Sequence, residues 1–259
     1  MKRIKFLIVT IILIALPFYA FAQTGPSIMQ KLQDSQKATS SAMDIKLSLV
    51  EPNGEVRERR IQTLTLTEND LTSTITVFLS PASVKNTRFL TKEKKGGGDD
   101  QWIFLPAIGR IKRIAASEGS GSFMGSDFSY SDMASTTYDV DEAEHTLIGE
   151  ESIYGREAYI IESIPLVASD YGKTVIWVDK EHYLPLKVEF YAKDGKTLVK
   201  HLLANEIKNV EGRWITKVMT MTTVASKHST RIDILQAKYD IPMNRGYFTT
   251  SFLETGRVL

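Results

Sequence analysis

The sequence predicts a mainly β protein: one large, curled antiparallel sheet with a few helices covering its concave face. Apolar and polar residues alternate with a period of two through most of the chain. Short turns separate about ten such runs in hairpin order, which favours antiparallel pairing over βαβ units. A sheet of this size tends to curl. We therefore expect an apolar cleft between the sheet and its helices.

The N-terminus carries the pattern of a secretory signal peptide. Basic residues at the start precede an apolar run over residues 6–16, and a small-residue cleavage site ends at Ala22. The alternative is an uncleaved membrane anchor, but the run is short for a span of about 20 residues. The pattern predicts a signal peptide over 1–22 with cleavage after Ala22. With no linker in the remaining sequence, a single domain is predicted over 23–259.

Composition excludes some classes of partner and of stabilising bond. The chain has 259 residues and no cysteine, so it forms no disulfide although export would permit one. Loss of the leader, which holds three basic and no acidic residues, lowers the formal charge from +1 to −2. A balance this close to neutral argues against nucleic acid as a partner.

The N-terminal half reads as one helix followed by hairpins. An amphipathic helix is predicted over 26–42, either packed on the sheet or lining a lipid groove with Met29 as an adaptable contact. From Met43 the period changes to two, and Asn53-Gly54 predicts a tight turn. Further strands are predicted over 55–67, 71–79 and 84–91, followed by a hairpin tip over 92–100.

The stretch 102–132 is the centre of the chain. A strand from Trp102, a bend over 106–109 and a second strand lead into a loop of small residues that carries aromatic side chains. Long loops inside compact domains are usually lids or binding loops. The residues predicted to line the cleft or its lid are Met29, Trp102, Phe104, Phe123, Met124, Phe128, Tyr130 and Trp177.

The C-terminal half continues the hairpin pattern. The strand over 173–179 is apolar on both faces and should be covered from both sides. A loop-helix segment is predicted near 127–134, and the tail over 247–253 is predicted to end in a short helix. The other predicted strands cover 144–150, 156–164, 186–190, 198–207, 213–224 and 230–238.

No catalytic or metal-binding pattern stands out. The four histidines are scattered, and we expect them to face solvent from strands. Asp127 and Asp132 could share a cation, but a helix N-cap is the simpler interpretation of Asp127. The prediction is therefore no catalytic residue, no metal and no cofactor. A lipid-ester hydrolase using Ser126 or Asp127 with a divalent cation is kept as an alternative.

One basic cluster is a candidate surface for binding a partner: Arg110, Lys112 and Arg113. It could be an outward strand face neutralised by Asp99 and Asp100. It could equally contact anionic lipid head groups or an acidic docking surface.

Two motifs carry a resemblance to a known family. Leu-Pro-Ala-x-Gly-Arg-x-x-Arg begins at Leu105, and Ser-Phe-x-Gly-Ser-Asp-Phe begins at Ser122. With Trp177-Val178-Asp179 and Gly212-Arg213-Trp214 they resemble the outer-membrane lipoprotein-sorting proteins of the LolA-like class, over most of the mature chain. LolA carriers are shorter and lack the loop over 119–132 in this form.

The resemblance implies a half-open β-barrel with helices as a lid. It implies a periplasmic carrier that holds acyl chains of lipoproteins or other lipids and transfers them toward the outer membrane. Relatives resemble accessories of inner-membrane lipid exporters of the resistance-nodulation-division class. We expect the loop over 119–132 to gate the cleft. Alternatives are the hydrolase and a non-transporting scaffold on a membrane exporter.

Overall fold

The computed structural model describes residues 23–95, 98–134 and 140–258. The predicted signal peptide over 1–22 lies outside these residues, as do Gly96 and Gly97 of the predicted hairpin tip. Within the described ranges, no helix has the length and apolar character needed to cross a bilayer.

The described strands belong to one sheet. In chain order its first strands are β1 (Ser40–Val50), β2 (Val56–Glu68), β3 (Leu71–Ser80), β4 (Arg88–Lys92), β5 (Asp100–Leu105) and β6 (Arg110–Arg113). The remaining strands are β7 (Ala143–Ile153), β8 (Arg156–Pro165), β9 (Lys173–Asp179), β10 (Pro185–Tyr191), β11 (Leu198–Val210), β12 (Arg213–Thr223) and β13 (Ser229–Tyr239).

The sheet consists of two runs of hairpins joined at their centre. Its order is β6-β5-β4-β3-β2-β1-β13-β12-β11-β10-β9-β8-β7, with every neighbouring pair antiparallel. In the described part of the chain β6 and β7 are edges, so the sheet is not closed. This confirms the predicted mainly β, antiparallel class. The tally of about ten was too low for the 13 strands of the described residues, although the second strand predicted after the bend over 106–109 is present as β6.

In the described part of the chain three α-helices accompany the sheet: α1 (Gly25–Gln36), α2 (Tyr130–Ala134) and α3 (Thr250–Thr255). Thr24 caps α1 by accepting a hydrogen bond from the Ser27 amide at 3.3 Å. The helix predicted over 26–42 was too long. Lys37 is already extended, and residues from Ser40 onward pair with both β2 and β13, so strand pairing wins over the helical pattern.

The two sheet faces carry different covers. We call inner the face that carries Leu47, Phe89 and Val188, and outer the face that carries Leu90 and Trp177. Side chains alternate between these faces along each strand. The helix α1 and residues 115–134 pack on the inner face. The helix α3 packs on the outer face, against side chains of β3, β4 and β5.

Candidate functional site

Residues 115–134, which follow β6, form the covering segment of the inner face. On the β5 side the Gln101 side-chain amide donates to the Tyr130 carbonyl at 2.8 Å. On the β11 side the Lys200 ammonium donates to the Asp132 carboxylate at 2.9 Å. The covering segment therefore lies across the inner face between the two halves of the sheet.

The covering segment places an aromatic side chain in the core. Phe123 is 2% exposed, with its ring centroid 4.9 Å from that of Phe89 and 5.9 Å from that of Phe78. Tyr130 meets Phe123 edge-on at 5.7 Å. This apolar cluster contains Leu47, Leu49, Ile61, Phe78, Phe89, Ile103, Ile114 and Phe123.

Phe123 and Phe128 bracket a tight turn. Met124 has φ of +54° and Gly125 has φ of +77°, a left-handed pair that reverses the chain. The Phe123 amide donates to the Phe128 carbonyl at 2.7 Å, and the Arg59 guanidinium donates to the Met124 carbonyl. Met124 packs on the edge of the cluster around Phe123, and Phe128 is half-buried.

Asp127 ties the covering segment to the centre of the sheet. Its carboxylate accepts hydrogen bonds from the Thr223 hydroxyl at 2.5 Å and the Thr230 hydroxyl at 2.7 Å. The Nδ1 atom of His228 lies 2.7 Å from the same carboxylate. The interpretation of Asp127 as a helix N-cap was wrong. Ser129 precedes α2, and its hydroxyl accepts from the Asp132 amide at 3.0 Å.

Asp132 makes a second polar attachment. Its Oδ2 atom lies 2.9 Å from the Lys200 ammonium, and its Oδ1 atom accepts from the Tyr171 hydroxyl at 2.8 Å. The same ammonium lies 2.9 Å from the Tyr171 hydroxyl. Burial, together with the neighbouring Asp132 charge, raises the pKa of Tyr171, so its hydroxyl stays protonated and can donate. Asp127 and Asp132 thus serve separate partners.

The other half of the inner face lies under α1. Met29 is buried there, as are Ile28 and Leu32 of the same helix. They form a second apolar cluster with side chains of β8, β9 and β10, namely Ile161, Ile176, Val178 and Val188. Met29 therefore packs between helix and sheet, on the same face as Phe123.

Between its two covers the inner face keeps partly exposed apolar side chains. They belong to β1, β12 and β13 at the centre of the sheet, where Ile45 and Ile232 contact both the cluster around Phe123 and a small central cluster of Ile215, Ile234 and Ala237. Cross-strand pairing joins Leu47 to Ile232, and Ile232 to Met219. Paired residues share a face, and on this face Met221 of β12 pairs with Leu202 of β11, which packs in the cluster under α1. Apolar side chains therefore continue from one cluster to the other. These half-buried residues are Met43, Ile45, Met219 and Ile232.

Three of the predicted cleft residues lie on the outer face. Trp102 and Phe104 on β5 pack against α3 and the C-terminal tail. Trp177 is 8% exposed among side chains of β8, β9 and β10, and its indole nitrogen donates to Glu151 at 2.8 Å. Trp102, Phe104 and Trp177 are thus separated from Phe123, Met124 and Tyr130, which share one inner-face cluster, and from Met29, which lies under α1 in another.

The basic cluster lies on the edge strand β6. Lys112 pairs with Glu118 at 2.5 Å, and Arg113 pairs with Asp100. Arg110 is exposed and makes no ion pair within the described ranges. Two of the three charges therefore have local acidic partners, of which only Asp100 was anticipated.

Sequence reasoning missed the polar partners of the covering segment. These partners lie about 40–100 positions along the chain from the aspartates they contact, and no local motif marks them. They are Tyr171, Lys200, Thr223 and Thr230. His145 also departs from the prediction of solvent-facing histidines, because it is buried with Nδ1 2.7 Å from the Ser163 hydroxyl.

The structure gives Ser126 a local role. Its hydroxyl is buried and donates to the Phe123 carbonyl at 2.7 Å inside the covering segment. Among the described residues no group of three or more His, Cys, Asp or Glu side chains is placed to hold a metal ion.

A cavity of about 480 Å³ lies away from the covering segment, where the end of α1 meets the hairpin between β11 and β12. The His182 and Trp214 rings stack in its wall at 4.0 Å. Its other lining residues are mostly polar or charged: Ser35, Glu211, Gly212, Arg213, Tyr239 and Asp240. Such a lining suits water better than hydrocarbon.

The comparisons with known proteins agree with this architecture. The model of the DUF1329-like family, described as uncharacterised protein, matches residues 70–255. The chain belongs to this family. The comparison with curated proteins gives no match.

Solved structures of DUF1329-like and related proteins share the fold. A DUF1329 family protein from Desulfovibrio piger is 29% identical with a TM-score of 0.84, covering 88% of this chain and 97% of its own. An outer membrane lipoprotein-sorting protein domain from Vibrio parahaemolyticus is 30% identical with a TM-score of 0.82, covering 89% and 98%. A LolA superfamily protein from Nitrosomonas europaea, 22% identical, covers 89% and 100% with a TM-score of 0.72. The resemblance to lipoprotein-sorting proteins of the LolA-like class is confirmed.

Proposed function

We propose that this DUF1329-like protein is a periplasmic carrier that binds acyl chains of lipoproteins or other lipids on the inner face of its sheet and transfers them toward the outer membrane. The observation that carries the proposal is the continuous apolar inner face, filled under the covering segment by Phe123. The names of its relatives, a lipoprotein-sorting domain and a LolA superfamily protein, support it.

The physical need for such a face is simple. A hydrocarbon chain in water costs about 0.8 kcal/mol per exposed CH₂ group. A carrier must therefore offer continuous apolar surface and must also release the chain. In this proposal Met43, Ile45 and Ile232 form the entrance, and the wall under Phe123 forms the interior.

The bonding pattern of the covering segment supports its role as a lid. Among the described residues its backbone-to-backbone hydrogen bonds are internal: the Tyr130 amide donates to the Gly121 carbonyl at 3.0 Å, and the Ser131 amide to the Gly119 carbonyl at 2.9 Å. Each of its bonds to the sheet involves at least one side chain, among them those of Arg59, Gln101, Asp127 and Asp132. The segment can therefore lift as a unit without breaking strand pairing. On lifting, Phe123 and Tyr130 would leave the space that an acyl chain needs.

Chain-length dependence of binding tests the proposal. The neutral fluorophore N-phenyl-1-naphthylamine would be displaced by decanol and by dodecanol. Two extra CH₂ groups are worth about 1.6 kcal/mol, so we expect about 15-fold tighter binding of dodecanol. Equal affinities, or no binding of fluorophore or alcohols, would overturn the carrier proposal.

A matched pair of phenylalanine variants locates the site. Phe123→Ala removes the side chain that fills the inner face, so we expect tighter dodecanol binding. Phe104→Ala removes a ring that is also buried, but on the outer face, and should cost comparable stability without changing dodecanol affinity. If Phe104→Ala changed dodecanol affinity and Phe123→Ala left it unaltered, the inner face would not be the site.

Localisation and partner belong to the same proposal. We infer export and cleavage after Ala22 from the leader pattern. N-terminal sequencing of protein taken from the periplasm should begin at Gln23.

The family resemblance implies an inner-membrane exporter of the resistance-nodulation-division class as the donor of lipid, and the exposed Arg110 edge is the candidate surface for head groups or partner. Co-purification of the exporter with wild-type protein, weakened by Arg110→Glu, would support that partner.

The proposed site uses only part of the predicted set. The remaining candidates for contact with an acyl chain are Met29, Phe123, Met124, Phe128 and Tyr130. The outer-face residues Trp102, Phe104 and Trp177 are left out of it.

A further inference from the structure

Lys200 is a cation enclosed by the inner face. It lies on β11 two residues before Leu202, whose side chain packs in the cluster under α1. Its side chain is only 16% exposed. An enclosed ammonium needs a compensating anion and hydrogen bonds, because its hydration has been lost.

The anion comes from the covering segment. Asp132 supplies it, with a side chain that is 7% exposed and an Oδ2 atom 2.9 Å from the ammonium. The cation lies on the sheet, and Tyr171 lies in the loop between β8 and β9. One partner of the ion pair, Lys200, therefore belongs to the sheet. The other, Asp132, belongs to the covering segment, which we propose moves as a lid.

Both carboxylate oxygens of Asp132 accept hydrogen bonds. Oδ1 accepts from the Tyr171 hydroxyl at 2.8 Å, while Oδ2 accepts from Lys200 and also from the Ser129 amide at 2.7 Å. Lys200 and Tyr171 remain on the wall when Asp132 and Ser129 leave. They present an ammonium and a hydroxyl spaced for two oxygens of one anionic group.

Apolar surface begins beside this pair. The Tyr171 ring lies 5.0 Å from the Phe190 ring. Along β11, Leu202 follows on the same face and pairs with Val188 on β10. A ligand with an anionic group at one end and hydrocarbon next to it matches this order of surfaces.

We propose that Lys200 and Tyr171 form a subsite for the anionic head group, carboxylate or phosphate, of an acyl lipid, and that Asp132 occupies this subsite as an internal substitute while the covering segment is down. The proposal rests on the carrier function proposed above. It adds a chemical preference and assigns Asp132 the role of a competitor for the ligand.

Ligands with the same chain and different ends test the head-group subsite. Dodecanoic acid, dodecyl phosphate and dodecanol would each displace N-phenyl-1-naphthylamine from the wild-type protein. We expect the two anions to bind about tenfold more tightly than the alcohol, the effect of one charge-assisted contact. Acetate and inorganic phosphate should fail to displace the fluorophore or to weaken dodecanoic acid binding. Competition by these free anions would overturn the assignment to a lipid head group.

Variants then assign the preference to residues. Lys200→Met could misfold by leaving Asp132 buried and unpaired, so the double variant Lys200→Met with Asp132→Asn removes both charges. In it, dodecanoic acid should bind no better than dodecanol when the two are compared in the same variant. Asp132→Asn alone should tighten dodecanoic acid binding. Lys208→Met is the control, because Lys208 lies on the same strand with its side chain exposed and paired to Glu206.

The outcomes separate this inference from the carrier function. Dodecanol binding without any preference for the anions would leave the carrier standing and overturn the head-group subsite. An anion preference that survives the double variant, or is lost in Lys208→Met, would also overturn it. Failure of fluorophore and all dodecyl ligands to bind would overturn the carrier function itself.

Discussion

At the scale of single residues, Asp127 shows how one side chain can hold a loop on a sheet. Its carboxylate and its backbone amide both engage Thr230, which is fully buried, while Thr223 and His228 reach the same carboxylate. Buried polar groups are stabilising only when they are paired. The hydrogen bonds around Asp127 therefore stabilise the fold while every partner is present, and removal of one partner lowers the free energy of unfolding.

Asp127→Ala should lower the free energy of unfolding by about 2–3 kcal/mol, because it leaves buried hydroxyls without an acceptor. Urea unfolding followed by circular dichroism measures it. The control is Glu58→Ala, which removes an exposed partner of Lys46 and should cost less than about 0.5 kcal/mol. A loss no larger than the control's would mean that Asp127 does not anchor the covering segment.

Asp99 gives a pH dependence of known sign. Burial, and then the neighbouring Glu93 and Glu142 charges, raise its pKa to about 6. The folded chain thus binds the proton more tightly than the unfolded chain, whose aspartates have pKa values of about 3.9. The stability contributed by Asp99 is present below that value and is lost as pH rises to about 6.

Asp99→Asn removes this loss, so the variant should gain stability relative to wild type as pH rises from about 4 to 7. Urea midpoints at successive pH values measure it. For Asp194, hydrogen bonds from Thr197 lower the pKa to about 2. Asp194→Asn should therefore give a difference from wild type that is constant between about pH 5 and 7. A flat difference for Asp99→Asn as well would refute the raised pKa.

At the scale of elements, the docking of α1 depends on a backbone contact that only glycine allows. A Cβ atom on Gly25 would lie 2.3 Å from the carbonyl oxygen of His145 on β7. That neighbour is backbone and cannot swing away. The first turn of α1 can therefore lie against the edge strand only without a side chain at this position.

Gly25→Ala should destabilise the protein by about 1–3 kcal/mol through this overlap. The sign is informative, because alanine favours a helix over glycine by about 1 kcal/mol where nothing clashes. Thermal unfolding measures it, with the exposed Gln30→Ala as a neutral control in the same helix. A stabilised Gly25→Ala variant would show that α1 does not pack this closely on β7.

At the scale of the whole molecule, the sheet and the covering segment should open separately. The centre of the sheet, where β1 pairs with β2 and β13, is stabilised on both sides. The covering segment bonds to the sheet through side chains, so lifting it breaks no strand pairing. Units held by fewer long-range bonds open at lower free energy.

Hydrogen exchange should resolve the two units. Amides of β1 and β13 should exchange only through global unfolding, whereas those of Phe123, Tyr130 and Ser131 should exchange faster and together. Dodecanol should speed the exchange of that second group and leave β1 unchanged. Exchange of both groups at one common free energy would contradict a lid that moves independently.

Much of this architecture could be predicted from local sequence. Asn53 and Gly54 gave the first hairpin, where the Glu51 amide bonds the Glu55 carbonyl at 2.9 Å and Gly54 has φ of +87°. Alternation placed most strands, and the aromatic loop singled out in the sequence forms the covering segment that carries Phe123. The LolA-like motifs gave the class of fold.

The sequence by itself determined strands, turns and the existence of two sheet faces, because a period of two is a property of neighbouring residues. Only the tertiary structure decided which cover lies on which face. Trp102 and Ile103 are both apolar, so their pattern does not say that the first lies under α3 and the second under Phe123. It also joined Asp132 to Lys200, since a contact across 68 residues depends on how the whole sheet curls and not on local preference.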